Sequence, residues 1–236
     1  MLNTQKPESP AQDKTGSALV VVGIFRTIQG EGPFSGVPAI FIRLGGCNLA
    51  CPGCDTNYTD GRALMDVAQI LSLVASAKGH HAVKLAVITG GEPFRQYINH
   101  LAHALQQDGL HVQVETNGTL PVPPGFPSGV TVVCSPKAPR VHQSLLRHVS
   151  AYKYVLHVDH VDPVDGLPTS ILAITPGERK AAPARPPVGS IVPIFVTPMD
   201  TGHAETNAAN LSAAAQSCME FGYILNVQLH KIAGLP

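Results

Sequence analysis

The sequence predicts an α/β fold in which mostly parallel strands are joined by crossover helices. Three observations carry this. Strand-like apolar runs alternate with helix-periodic ones along the 236 residues, and parallel strands need connections of that length. Gly (22) and Pro (21) are abundant and punctuate the runs, as turns require. Unusual polar segments follow one strand after another, the way a β/α barrel builds its site at the C-terminal ends of its strands.

Residues 20–25 and 39–44 read as the first strands, separated by Gly- and Pro-bearing turns. Over 65–78, Val67, Ile70, Leu71 and Val74 share one helical face, and Gly79 supplies the stop. Residues 84–89 form the next strand. Over 97–108 the apolar face is Ile98, Leu101, Ala102 and Leu105, ended by Gly109. Strands follow at 111–115, 131–134, 153–158, 191–196 and 224–229, with helical stretches at 143–149 and 205–221. Five prolines fall within 175–193, which reads as a surface loop. The lead-in at 1–18 is polar and Pro-bearing and reads as disordered. Residues 19–236 contain no internal repeat and no second block of composition, so they read as one domain.

Composition excludes several classes. Lys+Arg (16) balance Asp+Glu (16), which argues against a nucleic-acid binder, because such affinity rests on clustered cations. No apolar run approaches the roughly 18 residues of a membrane span; residues 18–25 make a run of eight. The opening segment lacks the apolar core of a signal peptide. The expected compartment is the cytoplasm.

Of five cysteines, Cys47, Cys51 and Cys54 fall within eight residues. In a chain without a secretion signal they suit a metal better than disulfides. Cys134 and Cys218 stand alone and read as small buried hydrophobes. A four-iron cluster held by three thiolates leaves one iron open to chemistry. A structural zinc wants a fourth ligand, which one of the 11 histidines can supply. The spacing favours iron–sulfur and leaves zinc open.

This loop resembles the signature of the radical S-adenosylmethionine (SAM) superfamily, and Gly90-Gly91-Glu92-Pro93 resembles its companion SAM motif. Further segments narrow the match. Phe25-Arg26-Thr27-Ile28-Gln29-Gly30-Glu31-Gly32, Cys54-Asp55-Thr56, Glu115-Thr116-Asn117-Gly118-Thr119, Ser135-Pro136-Lys137 and Leu229-His230-Lys231 resemble the 7-carboxy-7-deazaguanine synthase family. The similarity runs from about residue 25 to 236 and is loose over 139–189.

The resemblance implies an incomplete (β/α) barrel of the radical SAM type. It implies conversion of 6-carboxy-5,6,7,8-tetrahydropterin to 7-carboxy-7-deazaguanine with loss of ammonia, on the route to queuosine and other deazapurines. The cofactors would be a [4Fe-4S] cluster on Cys47, Cys51 and Cys54, SAM, which is cleaved to a deoxyadenosyl radical and regenerated, and Mg²⁺ at the Thr56 hydroxyl. Substrate contacts would come from Ile28, Gln29, Gly30, Glu31, Arg43, Thr89, Glu115, Asn117 and the terminal Pro236. SAM contacts would come from Gly53, Asp55, Gly91, Glu92, Ser135, Pro136, Lys137, Thr197, Pro198, Met199 and Asp200. The expected partners are a flavodoxin-like electron donor and a second copy of the chain.

Each of these residues also has an ordinary use. Thr56 can cap a turn, Asn117-Gly118 can simply be one, and Arg43 can pair with a nearby acid. Lys137 and Asp200 can be solvated charges. Two positions depart from the family: Gly53 replaces an aromatic residue, and Thr197 stands where glutamine is expected. A glycyl-radical activase would share the cysteine loop. A non-catalytic zinc or iron–sulfur module would explain the cysteines but not the series of strand-end motifs.

Overall fold

The computed structural model describes residues 3–51, 53–171 and 182–236. Its strands are β1 (Ala18–Ile28), β2 (Pro38–Leu44), β3 (Ala63–Asp66), β4 (Leu85–Gly90), β5 (His111–Thr116), β6 (Thr131–Cys134), β7 (Val149–Leu156), β8 (Ile194–Pro198) and β9 (Ile224–Leu225). The α-helices are α1 (Val67–Lys78), α2 (Asn99–Gln107), α3 (Ala204–Phe221) and α4 (Leu229–Ile232). Among the described residues the strands form one sheet in the order β3-β1-β2-β4-β5-β6-β7-β8-β9. Pairing is parallel from β2 through β9, and β1 runs antiparallel to β2 and β3. The two ends, β3 and β9, do not pair with each other, so the barrel is incomplete.

Alternation along each strand sorts the side chains. Ile40, Ile42, Leu44, Ile88, Val112 and Val114 join Ile70, Val74, Leu101 and Leu105 of the helices in the main core. The residues between them face the interior of the curved sheet. There Ala39, Leu85 and Val87 pack together, as do Val133, Ala151 and Phe195. Farther along the same inner rows stand Arg43, Thr89, Glu115, Lys153 and Thr197, which line a cavity. An apolar floor thus carries a polar rim. In the parallel register Arg43 pairs with Thr89, which sets the rim at one height.

Several boundaries differ from the expectations. The helix expected from residue 65 begins at Val67, because Asp66 is its cap. Asp66 accepts from Gln69 N–H and Gln69 Oε1 accepts from Asp66 N–H. This reciprocal box fixes the start and frees Ala63–Met65 to pair with Leu19–Val21. The helix expected at 143–149 is only a 3₁₀ turn, Gln143–Leu145, since Val149 pairs with Val132 and opens β7. The strand expected at 191–196 starts at Ile194, with Ile191 and Val192 left in the preceding loop. The last strand, expected over 224–229, stops at Leu225. Asn226 then turns inward to Thr197 Oγ1 and Gly32 N–H, and the chain forms α4. Residues 175–181 of the expected Pro-rich loop lie outside the described residues, and 182–193 carry no helix or strand. Residues 3–17 also carry none, but they lie against the body through specific hydrogen bonds treated below.

Candidate active site

At the C-terminal ends of the strands lies a cavity of about 430 Å³, within the usual range for small-molecule sites. Of the residues expected to meet substrate, Ile28, Gln29, Glu31, Arg43, Thr89, Glu115, Asn117 and Pro236 line it. Gly30 does not. Its backbone passes under the His230 ring, and any side chain there would collide with that ring. Of the expected SAM residues, nine line the cavity: Gly53, Asp55, Gly91, Ser135, Lys137 and the run Thr197, Pro198, Met199 and Asp200. Pro136 borders a separate small cleft with Tyr154.

Glu92 is set apart from the rest. It is fully buried and accepts from Thr116 Oγ1 at 2.8 Å, Asn117 N–H at 2.7 Å and Phe94 N–H at 3.0 Å. Its carboxylate therefore ties the glycine motif to the loop after β5 rather than reaching the cavity. Burial pushes it up to about 7, against those three donors. Gly91 has a reason beyond access for a ligand. A side chain there would strike the carbonyl of Gly46, where Glu92 N–H donates to Gly46 O at 3.0 Å. The root of the cysteine loop and the glycine motif cross backbone to backbone.

Cys54 lines the cavity, while Cys47 is buried just behind it. Cys47 Sγ accepts from Leu49 N–H at 3.5 Å and Asn117 Nδ2 at 3.8 Å. Burial pushes the Cys47 thiol up to about 11 and also raises Cys54. Such thiols ionise when cationic iron replaces the proton. No three Cys, His, Asp or Glu side chains among the described residues close around a single metal ion. Three soft donors on one loop, with one of them at the cavity, fit a multi-iron cluster that keeps an open iron better than a zinc ion that wants four ligands. Cys134 and Cys218 are buried, as expected of small apolar residues.

The polar rim holds a charged network whose centre the sequence reading missed. Lys153 on β7 is ion-paired with Glu31 and stands 3.8 Å from Glu115. Glu115 also accepts from Gln29 Nε2 at 2.8 Å and Gln113 Nε2 at 3.0 Å. Gln228 donates to Glu31 Oε1 at 2.7 Å. Burial alone would raise Glu31, but the Lys153 charge overrides it and holds the carboxyl below its ordinary value. The pair is therefore ionised inside the cavity. A lysine at an inward position of an otherwise apolar strand was the available signal. Lys231, whose segment carries part of the resemblance but to which no contact was assigned, bridges Asp200 at 3.0 Å and Asp55 at 3.4 Å. Hydrogen bonds from Gly202 N–H, Lys231 and Asn207 hold Asp200 down to about 2.

Arg43 is different. Its Nε is buried without a hydrogen-bond partner among the described residues, while its guanidinium lies 5.1 Å from the centre of the Phe25 ring. A buried unpaired donor of this kind costs about 1–3 kcal/mol until a ligand satisfies it.

An open barrel with a three-cysteine loop against a glycine motif defines a radical SAM protein, and the family model of the Radical SAM superfamily matches residues 41–125. The crystal structure of QueE from Escherichia coli shares the fold, with a TM-score of 0.66 at 23% identity, covering 89% of this chain and 94% of that one. A 7-carboxy-7-deazaguanine synthase of Rhodospirillum rubrum is 42% identical over 92% of each chain. One of Rickettsia prowazekii is 39% identical over 93% of this chain and 90% of its own. The chain belongs to the 7-carboxy-7-deazaguanine synthase family.

Proposed function

We propose that this protein is a carbon–nitrogen lyase that converts 6-carboxy-5,6,7,8-tetrahydropterin to 7-carboxy-7-deazaguanine and ammonia. When bound, the [4Fe-4S] cluster and SAM supply the radical chemistry that starts the ring contraction. The chain's own residues bind and orient the pterin. The observation that carries the reading is the unpaired buried Arg43 donor in a polar cavity that also holds Lys153 with the carboxylates of Glu31 and Glu115. A carboxylate on the substrate would satisfy Arg43 with charge-assisted hydrogen bonds. Glu31, kept ionised by Lys153, and Glu115 beside the same lysine would accept from the N–H groups of the aminopyrimidinone ring. The cavity has the volume of a small-molecule site and its polar groups are side chains, which suits a pterin better than the protein substrate of an activase.

The SAM assignment rests on Gly53, Asp55, Gly91, Ser135, Lys137 and residues 197–200 around the same cavity. Thr197 differs from glutamine in being occupied: its hydroxyl accepts from Asn226 Nδ2 at 2.8 Å. Mg²⁺ would sit at the Thr56 hydroxyl, beside Asp55 Oδ1 at 3.3 Å. Hard oxygen donors at a cavity wall suit that ion, with coordination positions left for a substrate carboxylate. A flavodoxin-type protein is the proposed electron donor. Exposed Ile224 and Leu225 on β9, at the free edge of the sheet, support the proposed homodimer. Among the described residues no helix is long and apolar enough to cross a membrane.

The test is Arg43→Ala. Pterin affinity, measured anaerobically by calorimetry, should fall roughly ten- to hundred-fold, the worth of hydrogen bonds to a charged group. Cleavage of SAM without the pterin should persist. Equal pterin affinity in wild type and variant would refute the assignment.

A further inference from the structure

The cysteine loop is gripped from two sides. On the cavity side, Asn117 Nδ2 donates to Asn48 Oδ1 at 3.0 Å and Asn48 Nδ2 donates to Thr119 at 2.8 Å. On the outer side lies the segment before β1. Asn3 Nδ2 donates to the carbonyl of Cys51 at 3.0 Å. Gln5 Nε2 donates to the carbonyl of Thr56 at 2.9 Å, while its Oε1 accepts from Tyr58 N–H at 2.7 Å and the Thr59 hydroxyl at 2.8 Å. Glu8 N–H donates to the carbonyl of Cys47 at 2.7 Å. The carbonyls of two cluster cysteines and of the residue proposed for Mg²⁺ are therefore all bound by this one segment.

Arg95, just past the glycine motif, anchors the segment. It donates to the carbonyl of Ser9 at 2.8 Å and to that of Gly45 at 3.3 Å, and its NH2 stands 3.2 Å from Glu8 Oε2. The other Glu8 oxygen meets Arg62 at 2.6 Å. Asn3, Gln5 and Glu8 are partly buried, whereas Thr4, Lys6 and Pro7 between them are exposed. A side chain facing inward at each binding position is the pattern of a strap with a fixed register, and not that of a chain loosely laid on a surface. The loop it covers is irregular, so its backbone groups need outside partners to keep one conformation.

We propose that residues 3–11 are a clasp for the cysteine loop, in which Asn3 and Gln5 are positioning residues that hold the cluster ligands in place and slow the loss of iron. This rests on the iron–sulfur reading above. Neither residue lines the cavity, so the effect reaches the cluster through the loop backbone, as outer partners of metal ligands do elsewhere.

The experiment uses the full-length, anaerobically reconstituted protein and follows iron release to a ferrous chelator. The Asn3→Ala/Gln5→Ala variant should lose iron roughly ten-fold faster than wild type. The control is Gln106→Ala on α2, which removes a bond to the Ser128 carbonyl. It should lose iron at the wild-type rate. Thermal midpoints of the cluster-free forms separate general destabilisation from an effect on the loop. Gln5→Glu, which keeps the acceptor for Tyr58 and Thr59 but loses the donor to Thr56, should fall between wild type and the double variant. Unchanged iron release in both clasp variants, or equal acceleration in the control, would overturn the clasp. Wild type without any cluster would instead overturn the reading beneath it.

Discussion

Glu92 illustrates how burial decides a residue's chemistry. Its folded carboxyl holds a proton up to about pH 7, against an ordinary value of 4.5, because desolvation outweighs three donated hydrogen bonds. A folded value above the unfolded one means that the folded state binds more protons between those limits. Stability from this group is thus fully present below about pH 4.5 and lost as pH rises to about 7. In cluster-free protein, urea midpoints of wild type should drop across this window relative to Glu92→Gln, and parallel pH profiles would show that the carboxyl does not titrate there.

The motif around Glu92 is legible from sequence, but the direction of its side chain is not. Adjacent glycines and a proline announce a tight crossing, while the carboxylate turns under the 3₁₀ turn Pro93–Arg95. Arg43 and Glu115 were named by the family resemblance, and a strand's period of two is what carries them to the inner face. Lys153 obeys the same rule, yet its partner Glu31 lies 122 positions away, and the Glu31–Gln228 bond spans 197. Bonds that only the closed fold creates leave no local trace. The same holds for Asn3 and Gln5, whose polar surroundings read as a disordered tail until their loop partners were in place.

At the scale of elements, the long amphipathic runs declared themselves, as did the four-residue β6 at 131–134. By contrast, β3 was not expected, and β9 is shorter than the strand expected there. The faces of α1 and α2 follow their periodicity, with Ile70, Val74, Leu101 and Leu105 all in the core. β3 and β9 are four and two residues long and owe their existence to neighbours in the sheet. The α1 boundary was written in the chain as Asp66 and Gln69, a capping pair that the periodicity reading overran. Asp66→Ala should cost about 1 kcal/mol in chemical denaturation, and Asp66→Asn much less. Equal losses would assign the effect to charge and not to the cap. Residue 149 was expected to end a helix, and only its pairing with Val132 makes it the start of β7.

At the scale of the molecule, the open sheet brings together segments from almost the whole chain length. Ile28 ends β1, Gly91 follows β4, Ser135 follows β6 and Lys231 belongs to α4, yet all four line one cavity. A cluster loop on one wall and a cation with paired carboxylates on the other make a site in which a radical can be generated and spent on a small polar ring. The measurement that tests this most directly is turnover by anaerobically reconstituted, reduced protein with SAM, Mg²⁺ and 6-carboxytetrahydropterin, read by mass spectrometry. The account predicts a product lighter than the substrate by one ammonia, formed over many turnovers per SAM. Deoxyadenosine accumulating with the pterin unchanged would contradict it.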